Sequence, residues 1–244
     1  MTEQLQALAV KCPSYASFQQ LGGAEQQQGN QEAALIAFAQ AYGLAATDDE
    51  GALSLAHYGQ VLLEHGQRAE ALAVFQAARA LHRNTPEWIT ELALRLDIEL
   101  AEQPLQADFL IRSLSTLEFG LPSLVSVKIP ERRPMRSSVS IRFDYQPGGI
   151  EADSAATITQ IVDALLSSQF VGKQFRLLDH AGSSGDGVGL SSKRAEAIYK
   201  RILDAEPSLR SRLSSGGMGA SKPLYTGNIE IMQRLNRRLE ILIE

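Results

Sequence analysis

Asp179-His180-Ala181-Gly182, Leu190-Ser191-Ser192-Lys193-Arg194-Ala195, Gly217-Met218-Gly219-Ala220-Ser221-Lys222-Pro223 and Asn236-Arg237-Arg238-Leu239-Glu240-Ile241 follow one another near the end of this chain of 244 residues. Phe175-Arg176-Leu177 just before them reads as a strand, and Leu239–Ile243 alternates as a closing strand. Ser191 is placed to cap a helix running to about Leu203. Upstream, Val139, Ile141 and Phe143 alternate with polar residues and are followed by a Pro147-Gly148-Gly149 turn. The stretch Asp153 to Leu166 then puts Ile158, Ile161, Val162 and Leu165 on one helical face. Strands alternating with helices predict a two-layer α/β domain over residues 137–244.

The order and spacing of the four fragments resemble the OmpA-like domain, whose pattern runs G-H-T-D-x-x-G, L-S-x-x-R-A, G-x-G-x-x-x-P and N-R-R-V-E-I. The resemblance implies a non-catalytic, cell-wall-binding module, with peptidoglycan as partner and no cofactor. Peptidoglycan of the type bound by that family displays meso-diaminopimelate, which carries an ammonium and a carboxylate on one carbon. By the resemblance, Asp179 meets the ammonium and Arg194 grips the carboxylate with its planar fork. Gly182, Leu190, Ser191 and Arg237 complete the implied binding set, and backbone N–H groups near Ser192 and Lys193 are expected to add donors.

Two alignments are open. Without gaps, Asp179 and Gly182 fall on D-x-x-G, but Gly187 replaces the family's asparagine and Arg176-Leu177-Leu178 replaces G-H-T. Aligned by histidine, His180 matches while Gly182 takes the aspartate position. Structural roles compete with the ligand roles: Asp179 as a loop cap, Arg194 as an exposed helix residue, and Asn236, Arg237 and Arg238 as struts tying the last strand to the glycine loop.

The first half carries a repeat. Leu21-Gly22, Gly29, Ala34, Phe38 and Ala41 recur, 37 positions on, as Tyr58-Gly59, Gly66, Ala71, Phe75 and Ala78. The pattern is similar to the tetratricopeptide repeat, a helix-turn-helix in which small residues allow close crossing and an aromatic fills the gap. Gly29 and Gly66 suit the turns. Thr85 reads as an N-cap followed by Pro86, and Trp88, Leu92, Leu96 and Leu100 form a face that covers the second repeat. Ala107 to Leu117 is expected to close the stack. The resulting division is a helical-repeat domain at 1–119, a Pro/Arg linker at 120–136 and an OmpA-like domain at 137–244. The helical part is expected to hold a protein or peptide, or else to serve as a spacer or dimerisation surface.

Charge and composition exclude several classes. The net charge of -5 hides an uneven distribution, with 6 basic and 15 acidic side chains in residues 1–119. No basic field for nucleic acid exists, and an acidic repeat favours a basic peptide. Cys12 is the single cysteine, so neither an intrachain disulfide nor a thiolate zinc site is available. His57, His65 and His82 have no metal-ligand companions. There is no G-x-S-x-G, Walker A or H-E-x-x-H motif, and Gly185–Gly189 lacks the ligands of a calcium loop. No apolar run is long enough to span a membrane. The N-terminus does not read as a signal peptide, so a periplasmic or envelope location is expected only with an upstream signal or anchor, and a cytoplasmic one otherwise. The alternative to a wall anchor is an interaction scaffold whose OmpA-like fold no longer binds peptidoglycan.

Overall fold

The computed structural model describes residues 2–81, 85–101, 103–118, 138–141, 145–146, 149–150, 154–182, 187–227 and 229–243. The expected linker at 120–136, Phe143, Pro147-Gly148 and Asp153 lie outside them. The chain divides into two compact units. The first takes in the residues up to Leu96 together with residues 116–118; the second takes in Asp97–Ser115 and the residues from Arg136 onward.

The first unit is helical: α1 (Thr2–Lys11), α2 (Tyr15–Gln27), α3 (Gln31–Leu44), α4 (Asp48–Glu64), α5 (Arg68–Leu81) and the beginning of α6 (Glu87–Ala101). Local chemistry sets the helix starts. Ser14 and Ser17 exchange hydrogen bonds in a capping box at α2, the Ser17 N–H donating to Ser14 Oγ at 3.1 Å and the Ser14 N–H to Ser17 Oγ at 3.0 Å. Thr47 Oγ1 accepts from the Glu50 N–H, and Asp48, Asp49 and Glu50 place three acids at the positive end of α4. The two repeats fold alike. Gly29 and Gly66 join their helices at φ +75° and +77°, where a side chain is strained. A Cβ on Gly22 would lie 2.7 Å from the Phe38 ring, and one on Gly59 would lie 3.1 Å from the Phe75 ring. The aromatics fill the gaps that these glycines leave.

Helix α6 departs from the expected face. Its buried residues are Ile89, Ala93, Leu96 and Asp97, one step around the helix from Trp88, Leu92 and Leu100. Trp88 lies 5.7 Å from the ring of His57 on α4, so it does meet the second repeat, and the His57 ring stacks on Phe38 at 5.4 Å. Burial lowers the His57 pKa and pushes that of Tyr58 up to about 12.

The second unit holds α7 (Ala107–Glu118, of which residues 107–115 fall in this unit), β1 (Ser138–Ile141), β2 (Tyr145–Gln146), β3 (Gly149–Ile150), α8 (Ser154–Leu165), β4 (Phe175–His180), α9 (Val188–Ala205), β5 (Leu213–Gly219), α10 (Glu230–Asn236) and β6 (Arg238–Ile243), with short 3₁₀ turns at Ser168–Phe170 and Pro207–Ser211. Four strands form one sheet in the order β1-β6-β4-β5, and β2 pairs with β3 separately. β6 is antiparallel to β1 and β4, while β4 and β5 are parallel, joined by the α9 crossover. Ile158, Ile161, Leu165, Phe175, Leu177, Ile198, Ile202, Leu239 and Ile241 make the core between sheet and helices. The α/β expectation for this region therefore holds.

One helix belongs elsewhere than expected. Leu110 and Leu114 of α7 are fully buried in the α/β core, each worth about 1.5–3 kcal/mol. The Ala107 N–H donates to Gln160 Oε1 at 2.8 Å, and Ser115 Oγ donates to Gln169 Oε1 at 2.6 Å. Residues 107–115 of the segment expected to close the repeat stack thus pack in the second unit, where the apolar stripe is matched by α8 and the turn after it, while residues 116–118 fall in the first. With Asp97–Ser115 in the second unit, the helical domain does not extend to residue 119 as a unit.

Candidate functional site

Strand β4 runs through the middle of the sheet, so its pleat sends successive side chains to opposite faces. Asp179 shares the helix-covered face with Phe175 and Leu177, while His180 shares the other with Arg176 and Leu178. Arg194 projects from the second turn of α9 onto Asp179, its Nε–H donating to Oδ1 at 3.0 Å. The pair is enclosed: the Asp179 side chain is 0% exposed and that of Arg194 12%. Burying both charges is tolerable only in such a bonded geometry.

The surrounding glycines exist because backbone and side chains crowd this strand end. A Cβ on Gly217 of β5 would overlap the Ser192 backbone nitrogen of α9. A Cβ on Gly182 would overlap Arg237 Cγ and come within 2.6 Å of the Gln233 carbonyl oxygen. The stem of Arg237 therefore lies over Gly182, and this residue remains exposed. Between Asp179 and His180 the pairing with β5 slips: Asp179 faces Gly217 and His180 faces Gly219, leaving Met218 as a bulge.

Helix α9 begins earlier than expected. Its N-cap is Gly187, not Ser191. Ser191 is buried, donating to the Val188 carbonyl at 3.0 Å and accepting the Gly219 N–H at 2.9 Å. Its hydroxyl ties α9 to the end of β5. Ser192 and Lys193 consequently lie past the first helical turn, so their N–H groups are not the open donors expected. Leu190 is 45% exposed on the same helix. Of the implied set, the structure brings Asp179 to Arg194 and Gly182 to Arg237; Ser191 is turned inward and Leu190 outward.

On the opposite face sits a cluster that the sequence reading did not assemble. His180 Nε2 lies 2.8 Å from Glu240 Oε2, with Arg238 beside them. Burial lowers the His180 pKa; the Glu240 hydrogen bond opposes this, and the Arg238 and Lys222 charges add to it. Asn236 and Arg238 tie the last strand to the segment after β5 rather than to the glycine loop. Asn236 accepts from the Tyr225 N–H and donates to its carbonyl, at 2.9 and 2.8 Å. Arg238 donates to the Asn236 and Lys222 carbonyls. The alternation Arg238-Leu239-Glu240-Ile241 was the available signal for this second face.

Among the described residues no group of three or more His, Cys, Asp or Glu side chains could hold a metal ion. Among them, no helix is long and apolar enough to cross a membrane.

No family model matches the chain. Over 118 residues, 47% of the chain, the sequence is 24% identical to outer membrane porin F of Pseudomonas fluorescens and spans 35% of that protein. The chain is also similar to a solved MotB-like protein from Desulfovibrio vulgaris, over 44% of this chain and 74% of that one, at 17% identity and a TM-score of 0.39. A second solved structure, the cell wall anchor of the T6SS from Pseudomonas aeruginosa, is matched over 58% of this chain and 98% of that one, at 22% identity and a TM-score of 0.40.

Proposed function

We propose that the chain is a non-catalytic cell-envelope adaptor: the second unit anchors it to peptidoglycan, and the tetratricopeptide-like helices of the first hold a protein or peptide. The observation that carries this reading is the Asp179–Arg194 pair, 15 positions apart in sequence and 3.0 Å apart in space at the end of the central strand. That pairing supports the ungapped alignment, since the histidine alignment would put Gly182 where the acid belongs.

The chemistry follows from exchange. In the free protein the carboxylate and the guanidinium neutralise each other. A diaminopimelate end brings its own ammonium and carboxylate, so the two protein charges can each trade one partner for another without leaving a buried charge bare. Binding then needs Arg194 to swing from Asp179 and the strand-end loop to admit the ligand. Arg237, exposed over Gly182, adds a cation at the rim for the remaining carboxylates of the stem peptide. The 24% identity with an outer membrane porin supports a place in the envelope. For the first unit, the excess of acid over base in residues 1–96 favours a basic partner.

The complete burial of Asp179 favours a second reading, in which the pair is only a strut and the domain a scaffold without wall binding. Co-sedimentation of the full chain with diaminopimelate-type sacculi separates the two, with lysine-type sacculi as control. Retention on the first, competed away by free meso-diaminopimelate, is the expected outcome. Equal recovery in the supernatant with both wall types overturns the anchor.

A further inference from the structure

The end of β4 is fastened differently on its two edges. Toward β6 the antiparallel register is unbroken, with Asp179 opposite Leu239 and His180 opposite Arg238. Toward β5 it slips by one residue at the same point. A bulge disrupts the ladder locally and bends the strand, and pairing with β5 resumes just past it, where the Ala181 N–H donates to the Gly219 carbonyl at 2.8 Å, so the unbroken β6 edge shares in directing the strand end. On that edge the side-chain bond is His180 to Glu240, at 2.8 Å, with the histidine side chain 1% and the glutamate 21% exposed.

The protonation state of His180 follows from its partners. Glu240 offers an acceptor to Nε2, so the neutral ring carries its proton there. Nδ1 is buried and has no hydrogen-bond partner among the described residues. A second proton would sit on Nδ1 as a buried donor without an acceptor, a costly arrangement. The charged groups facing the ring are Glu240 and Arg238 from β6 and Lys222 from the segment after β5. Two cations thus oppose the one anion. On β4 itself Arg176 points to the same face and is exposed, and Gly216, Met218 and Gly219 of β5 bring no titratable group.

We propose that His180 is a positioning residue for the Asp179–Arg194 pair: neutral and bonded to Glu240, it holds the end of β4 so that Asp179 meets Arg194, and its protonation loosens that end and the pair with it. His180 acts through the backbone of its neighbour, since the two side chains lie on opposite faces of the sheet. The consequence for wall binding rests on the function proposed above; the coupling between the two pairs does not.

The test is NMR on the full chain between pH 8 and pH 5, following the Arg194 Nε–H resonance and the His180 ring nitrogens. The expected result is an Arg194 signal that shifts with the same midpoint as His180. In His180→Gln, whose amide still donates to Glu240 but does not titrate, that midpoint disappears while the signal at pH 8 is kept. In His180→Ala the Arg194 signal is perturbed at every pH. An Arg194 resonance that stays fixed while His180 titrates overturns the proposal, as does a ring that stays neutral to pH 5 while the Arg194 signal moves. In parallel, retention of the wild type on diaminopimelate-type sacculi should fall by about tenfold per unit of pH below the His180 midpoint, with His180→Gln flat. No retention at any pH would sink the anchor function and leave the NMR result to decide the coupling.

Discussion

Two bonded pairs stand back to back at the end of β4, and they differ in what keeps them together. Asp179 and Arg194 are both enclosed, and a guanidinium keeps its charge across the physiological range. His180 and Glu240 share one enclosed ring and one partly exposed carboxylate, and the ring is charged only when protonated. The first pair is therefore a fixed electrostatic element and the second a conditional one. A single residue step along a pleated strand separates them, so chemistry on one face can set geometry on the other.

The largest effect expected from breaking this comparison comes from Asp179→Ala. It leaves the Arg194 guanidinium buried without its carboxylate, which costs about 3–5 kcal/mol. Glu240→Ala removes a partly exposed acceptor and should cost about 1 kcal/mol. Hydrogen exchange of the β4 and β6 amides reads both locally, which suits a chain of two units better than a single melting curve.

Gly217→Ala comes next. Its methyl would enter the Ser192 backbone and push α9 from β5, displacing Arg194 but not Glu240. About 1–3 kcal/mol is expected. Gly216→Ala meets only Leu178 Cδ2 at 3.4 Å and should change little. A Gly217→Ala variant as stable as Gly216→Ala would mean that α9 is not seated as described.

The smallest effect is the pH dependence of the conditional pair. The folded His180 pKa lies below the ordinary histidine value, so the unfolded chain takes up the proton first. Stability is then complete above pH ~6.5 and declines as the pH falls through the folded value, by at most about 1.4 kcal/mol per pH unit. His57 is shifted the same way, but it lies in the other unit. Exchange at β4 should therefore lose its pH dependence in His180→Gln and keep it in His57→Gln.

What could be read from the sequence depended on whether a feature was periodic or local. The two repeats announced themselves because glycine and phenylalanine recur 37 positions apart, and both glycine–ring contacts are present. Asp179 and Arg194 were legible through a spacing that one strand end and one helix convert into contact. β5 is not legible in the sequence because Leu213-Ser214-Ser215-Gly216-Gly217-Met218-Gly219 has no apolar alternation; what fixes it as a strand is its neighbour β4 and a helix too close for a side chain. The α7 stripe showed that the helix needed a cover but not which core supplied it. Ser191 looks like the cap of α9, yet its hydroxyl is used by Gly219, 28 residues away. His180 and Glu240 are 60 positions apart, and only the register of β4 with β6 joins them.

The most direct test of the central claim is calorimetric titration of the full chain with a diaminopimelate-containing muropeptide, comparing the wild type with Arg194→Lys. Lysine keeps the positive charge beside Asp179 but loses the fork that grips a carboxylate through two bonds. The expected result is saturable wild-type binding that weakens by about tenfold or more in Arg194→Lys, with β4 exchange nearly unchanged. Equal affinity in the two proteins, or none in either, would contradict the account and leave the buried pair as a strut.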